Sequence, residues 1–181
     1  GASLAGMRFA DLQTVVRDGV ADVALAGYEA ALGKLRTAGA EVVPLAVPEL
    51  DRAFAMSGPL YTADAYSAWS ELVEAAPDKM FPQILERVRS GKTVPAHEYL
   101  TLWQELEAIR DAYARATAGF DAVLCPGAAN MPPNLERLIA DPEFYREQNL
   151  LTLRNTRVAN LMGLASLALP VGVPSVGILV N

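Results

Sequence analysis

Few side chains in this 181-residue sequence could carry covalent chemistry. Cys125 is the single cysteine and His97 the single histidine, so a Cys/His nucleophile is arithmetically open. Their surroundings argue against it. Cys125 ends the apolar run Phe120–Pro126, the setting of a buried thiol, whereas His97 sits in the polar segment VPAHEY and reads as a surface residue. One Cys and one His cannot close a zinc site, and no EF-hand spacing of acids occurs, so neither metal nor cofactor is expected. No GxGxxG or GxxxxGK(S/T) element supports nucleotide binding. The three lysines, Lys34, Lys79 and Lys92, lie in polar positions that suit solvated ammonium groups rather than a buried base. No activated nucleophile is evident among these side chains, so no catalytic residue is expected within the chain.

The elements that would position any site follow from pattern. Met7–Asp11 predicts a short strand, and Asp18 or Asp22 is placed to cap a helix on which Val20, Val23, Ala24, Tyr28, Ala31, Leu32 and Leu35 recur. Gly39 stops it, and Glu41–Val47 predicts a second strand; strand, helix and strand make a βαβ unit with parallel pairing and a right-handed crossover. Pro48–Ala118 reads as mainly helical, with Pro59, Pro77, Pro82 and Pro95 at breaks or first turns. Its aromatic residues, among them Phe54, Tyr61, Trp69, Phe81, Trp103 and Tyr113, read as core, with an aromatic-lined pocket as the alternative. Phe120–Pro126 predicts a third strand entering a turn at Gly127, and Asn134–Asn149 a polar helix-loop region.

The chain is organised around Asn149–Gly172. Its first half places Arg154 and Arg157 on a helix, and its uncharged second half, Leu164–Val171, predicts a strand buried on both faces. Between them, Asn160 is suited to hydrogen-bonding neighbouring backbone and Gly163 to a left-handed residue or a close approach; Pro170 and Gly172 punctuate the exit. Val176–Val180 predicts the last strand.

The order Asn160-x-x-Gly163, followed by Leu164 to Gly172, resembles the N-x-x-G-x-P-A-x-S-x-P-x-G segment late in amidase-signature enzymes. Ala165 stands where the family has proline and Ala168 where it has serine. Gly6-Met7-Arg8-Phe9 and Leu35 to Val42 resemble the family's G-x-R-I strand and L-x-x-x-G-A-x-V helix end; Arg87, Gly91 and Tyr99 fall in register with another segment, and Phe120–Pro126 with D-x-l-l-x-P-T, where Gly127 replaces threonine. The resemblance implies a mixed, largely parallel sheet flanked by helices, part of an α/β/α sandwich. It implies amide hydrolysis by a lysine and two serines lying ahead of Met7, so that residues 1–181 form a single domain corresponding to the later, substrate-side portion of a longer amidase. Arg87 then resembles the arginine that faces the substrate carboxylate in glutamine-using members, a task that suits a guanidinium fork. Those members also use an acid in a loop absent here, which argues against glutamine itself. Arg87, Cys125, Pro126 and Gly127 are the implied substrate-side positions. A non-catalytic interaction or regulatory module on the same fold is the alternative.

Composition bounds the partners. With 52% apolar residues the chain can build a core, and a net charge of −6 at a pI near 4.8 argues against nucleic acid. The long uncharged stretch Val158–Val180 is broken by Asn160, Pro170, Pro174 and glycines, so no membrane span is expected. The first residues lack a basic segment followed by an apolar one, and a lone cysteine fits a reducing compartment; a cytoplasmic protein is expected. A small amide is the expected partner, and association into a homo-oligomer would follow if a missing first half left an apolar sheet edge uncovered.

Overall fold

The computed structural model describes residues 3–172 and 177–180; Val176 and Pro174, included in the stretches above, lie outside them. In order, β1 (Arg8–Leu12) leads through a 3-10 turn at Val15–Arg17 to α1 (Asp22–Thr37) and β2 (Glu41–Leu45), which pairs with β1 in parallel. Neither Asp18 nor Asp22 caps α1. Ala21 holds the N-cap position, its N–H donating to the carbonyl of Ala129 (2.7 Å), and Asp22 sits in the first turn, where the helix dipole still favours a carboxylate.

Helices α2 (Glu49–Ala75), α3 (Pro82–Ser90) and α4 (Ala96–Thr117) fill the next stretch, with 3-10 turns at Pro77–Lys79 and Gly91–Thr93. Pro82 opens α3 and Pro95 caps α4, as expected, but Pro59 breaks nothing: α2 runs through it. Its ring deprives the carbonyl of Ala55 of a helical partner, a cost offset by burial of Met56, Ser57 and Leu60 around it. Then β3 (Ala122–Pro126) precedes the short α5 (Leu135–Ala140), α6 (Pro142–Arg154), α7 (Arg157–Met162), β4 (Leu167–Pro170) and β5 (Gly177–Val180).

The sheet is mixed, in the order β2-β1-β3-β5-β4, parallel over β2, β1 and β3 and antiparallel over β3, β5 and β4. Strand alternation divides the core in two. Ala10, Leu12, Val123 and Cys125 face a cluster built with α2, α4 and α7, whereas Phe9, Leu124 and Ile178 face one built with α1 around Tyr28 and Leu32. Helices thus cover both faces, the architecture of an α/β protein. At the start of the sheet, Arg8 joins three strands. Its N–H donates to Asp121 (2.7 Å), its guanidinium to the carbonyl of Gly119 (2.8 Å) and to Glu41 (2.8 Å).

Two expectations about the organising stretch are corrected. The segment Leu164–Val171 is not a strand buried on both faces: only Leu167–Pro170 forms β4, and all four residues are exposed, Leu167 by 58%. As the outermost strand among the described residues it pairs with β5 alone, and an uncharged sequence records what a strand could bury rather than what lies against it. Asn160 is exposed, and its side chain makes no hydrogen bond among the described residues. The buried asparagine is Asn155, fully enclosed between α6 and α7, whose amide donates to the carbonyls of Val16 (2.9 Å) and Pro126 (2.7 Å). Gly163 does adopt the left-handed conformation, φ +68°, at the end of α7. Pro170 closes β4 and Gly172 lies in the bend beyond it.

These placements separate three substitutions. Asn155→Ala removes the donor from two enclosed carbonyls and is expected to cost on the order of 2–3 kcal/mol. Gly163→Val is expected to cost about 1–3 kcal/mol through backbone strain. Asn160→Ala is expected to stay within about 0.5 kcal/mol of the parent. Urea denaturation of the three variants checks the ranking; an Asn155→Ala midpoint equal to that of the parent would overturn the assignment.

Candidate functional site

Where Pro59 interrupts the hydrogen bonding of α2, a cavity of about 700 Å³ opens between α2, α3 and the α6–α7 junction. That volume lies within the range of small-molecule sites. Helix α2 contributes the turn Ser57–Thr62, α3 contributes Arg87 and Ser90, and the junction contributes Leu150, Leu153, Thr156, Arg157 and Asn160. Among the described residues no carboxylate side chain lines it, and its two charged residues are both arginines.

Each wall is held by a local device. Arg87 donates to the side-chain oxygen of Asn149 (2.9 Å), which ties α3 to α6. Gly91, directly after α3, is buried against the backbone of α2: a Cβ there would stand 1.9 Å from the carbonyl oxygen of Thr62. Only glycine allows that approach. Asn155, between α6 and α7, holds the junction to the C-terminal end of β3 through the carbonyl of Pro126. The cavity wall is therefore anchored to the end of the parallel strands at which open α/β sheets bind their ligands.

Of the expected substrate-side positions, the structure brings only Arg87 to this cavity. Cys125 has 0% exposure in the core beneath α2 and α4, so its thiol cannot meet a ligand. Burial pushes that thiol up to about 12, with the nearby Asp11 carboxylate adding to the effect. Pro126 turns its carbonyl to Asn155, and the N–H of Gly127 donates to the carbonyl of Gly177 (2.8 Å); both serve the sheet. His97 is exposed in the first turn of α4, and Lys34, Lys79 and Lys92 are exposed as expected. Among the described residues, no group of His, Cys, Asp and Glu is arranged to hold a metal ion. No helix among them is long and apolar enough to cross a membrane.

The aromatic residues divide. Tyr113 is core, but Trp69, Phe81 and Tyr61 are exposed by 56%, 45% and 38%. Tyr61 faces the cavity, while Trp69 and Phe81 border a separate apolar groove. The residues missed in the sequence are Arg157 and Asn155. For Arg157 a signal existed: it stands among apolar residues on a short helix, with Leu153 and Asn160 at the spacings of one face.

The family model described as Amidase matches residues 2–180. The chain is 31% identical, over 149 residues, to 2-amino-5-chloromuconic acid deaminase of Comamonas testosteroni; the match covers 81% of this chain and 32% of that protein. Its fold is similar to that of Kluyveromyces lactis allophanate hydrolase, with a TM-score of 0.79 at 18% identity over 97% of this chain and 29% of the other. It is also similar to 6-aminohexanoate cyclic dimer hydrolase complexed with substrate, with a TM-score of 0.77 at 17% identity over 97% and 41%. At these identities the two structures speak for the fold.

Two outcomes test the site's construction. Gly91→Ala forces α3 away from α2 and is expected to cost about 2 kcal/mol or more; an unchanged denaturation midpoint would contradict the close contact. Cys125 has an ordinary value near 9, and its folded value is raised to about 12, so its contribution to stability is complete below about pH 9 and is lost as pH rises toward 12. Burial raises Tyr28 and Tyr113 in the same direction. Folded protein is expected to resist thiol reagents at pH 8 and to lose stability through that alkaline window, with a shallower fall in Cys125→Ala; rapid labelling of the native thiol would refute the assignment.

Proposed function

This chain belongs to the amidase family, and from that premise we propose that it forms the substrate-side part of an amide hydrolase. The observation that carries the reading is the family match across residues 2–180; the cavity among α2, α3, α6 and α7 agrees with it. The chain spans 32% of the length of the deaminase it resembles and 29% and 41% of the two structural relatives. In this reading the reacting groups, a lysine and two serines, belong to polypeptide outside these residues.

The division of labour follows from the side chains present. Among the described residues nothing forms an activated nucleophile: Cys125 is buried and protonated, and the lysines are solvated. What the chain can supply is position. The apolar side chains of Val94, Leu150 and Leu153, together with Pro59, offer surface to the carbon skeleton of a substrate, and the arginines and Tyr61 offer polar contacts. Holding the acyl group against a nucleophile on neighbouring polypeptide converts a bimolecular encounter into a unimolecular step. In the overall reaction water adds to the acyl carbon, the C–N bond breaks, and the amine leaves carrying a proton. The exposed β4 edge, with Leu167 and Leu169 uncovered, supports a companion expectation that copies of the isolated chain associate.

The test compares the 181-residue chain with the longer polypeptide encoded when the reading frame is extended upstream of Gly1. Ammonia or amine release is measured with aliphatic, aryl and carbamoyl-type amides. The short chain is expected to turn over none, and the longer one at least one class. A folded longer polypeptide that hydrolyses no amide, or turnover by the short chain that disappears in Cys125→Ser, would overturn the proposal.

A further inference from the structure

The last turns of α2 send large apolar side chains into solvent. Trp69, Leu72 and Phe81 are exposed by 56%, 66% and 45%, and with Val73 and Ile84 they line a groove of about 540 Å³ between the end of α2 and the start of α3. Local contacts hold its walls. The 3-10 turn Pro77–Lys79 reverses the chain, the ion pair of Arg89 with Glu74 (2.6 Å) ties α3 to α2, and the Phe81 ring meets the edge of Tyr145 with centroids 4.9 Å apart. A groove fixed in this way loses little freedom when a partner docks.

The uncovered area is large for a free surface. Three side chains of this size at these exposures leave on the order of 300 Å² of apolar surface open, comparable to the largest patches on monomers and over a third of the roughly 800 Å² that each partner buries in a stable interface. Stable interfaces place such an apolar centre inside a polar rim. Among the described residues, Lys79 is the one charged residue that lines the groove, and Asp78 stands next to it in the chain. Both are exposed, and neither takes part in an ion pair among the described residues. Opposite charges at adjacent rim positions suit a two-fold contact, because Asp78 can face Lys79 of the partner subunit while Lys79 faces Asp78 of the partner subunit. A rim of one sign would repel its own copy.

We propose that this groove is the centre of an isologous dimer, in which Trp69 of each copy enters the groove of the other and the Asp78–Lys79 pair closes the rim. The occupant is thus a second copy of the chain. Arg87 and Ser90, which line the cavity, lie toward the other end of α3 from Phe81 and Ile84, so polypeptide that brings reacting groups to the cavity need not cover the groove. The inference does not depend on the amide-hydrolase reading, and it assigns the contact to α2 and α3 rather than to the β4 edge.

Sedimentation equilibrium of the 181-residue protein and of the polypeptide extended upstream of Gly1 is expected to show dimers with a Kd of about 10 µM or tighter. Trp69→Lys and Leu72→Lys, both at exposed positions, are each expected to weaken the dimer by about tenfold or more while leaving the circular dichroism spectrum unchanged. Leu167→Lys, on β4, is expected to leave the dimer intact. Lys79→Asp is expected to weaken it, and the exchanged variant Asp78→Lys/Lys79→Asp to restore it, a recovery that apolar contact alone would not give. Should Trp69→Lys fail to fold, Leu72→Lys and the charge exchange decide. A monomer at about 100 µM, a dimer that survives Trp69→Lys or dissociates in Leu167→Lys, or an exchanged variant no better than Lys79→Asp would overturn the inference. So would a dimeric short chain beside a monomeric longer polypeptide, because upstream residues would then be what covers the groove.

Discussion

The amide of Asn155 reaches across the molecule. Its two N–H groups end on carbonyls 139 and 29 residues away in sequence, one in the turn after β1 and one at the end of β3, and its oxygen accepts from Arg154 at 3.1 Å. All of this takes place at zero exposure, where an unpaired amide or carbonyl is expensive. The α6–α7 junction therefore has one position relative to the parallel strands. Everything the cavity needs from that junction, namely Leu150, Leu153, Arg157 and Asn160, inherits its place from this contact.

The other side of the cavity depends on backbone rather than on a polar side chain. Gly91 brings the end of α3 against α2 at a distance no Cβ permits, and Pro59 leaves the adjacent turn of α2 short of a hydrogen bond. The result is a pocket bearing two guanidiniums on a chain whose net charge is −6. A field of opposite sign confined to a cleft selects its ligands by charge even when the whole molecule would repel them.

Much of the architecture was legible in the sequence. The βαβ unit, the third strand, the helical stretch after Pro48 and the left-handed Gly163 follow from apolar period and turn chemistry, and the family follows from the order of short motifs. What was not legible depends on partners distant in the chain. Asn155 and Asn160 lie five residues apart in the same kind of neighbourhood, and local pattern could not say which meets enclosed carbonyls. Leu164–Val171 looked buried because it lacks charge, yet its burial requires a surface against it. Arg87 could be picked out by spacing, whereas the local signal at Arg157 gained a meaning only when α2 and α3 were folded against the α6–α7 junction.

The pairing of β1 with β3 has a kinetic consequence. Phe9 stands beside Ala122, so every residue of α1 through α4 lies inside the loop that this parallel pairing closes. Closing so long a loop carries an entropic penalty that grows slowly with length but must be met before any native contact across it forms. Helices α2 to α4 can assemble locally first, with Gly91 docking against α2, whereas the sheet and the Asn155 contacts wait for both ends to arrive. The wall that carries Arg157 is thus expected to be completed late, after the helices that face it.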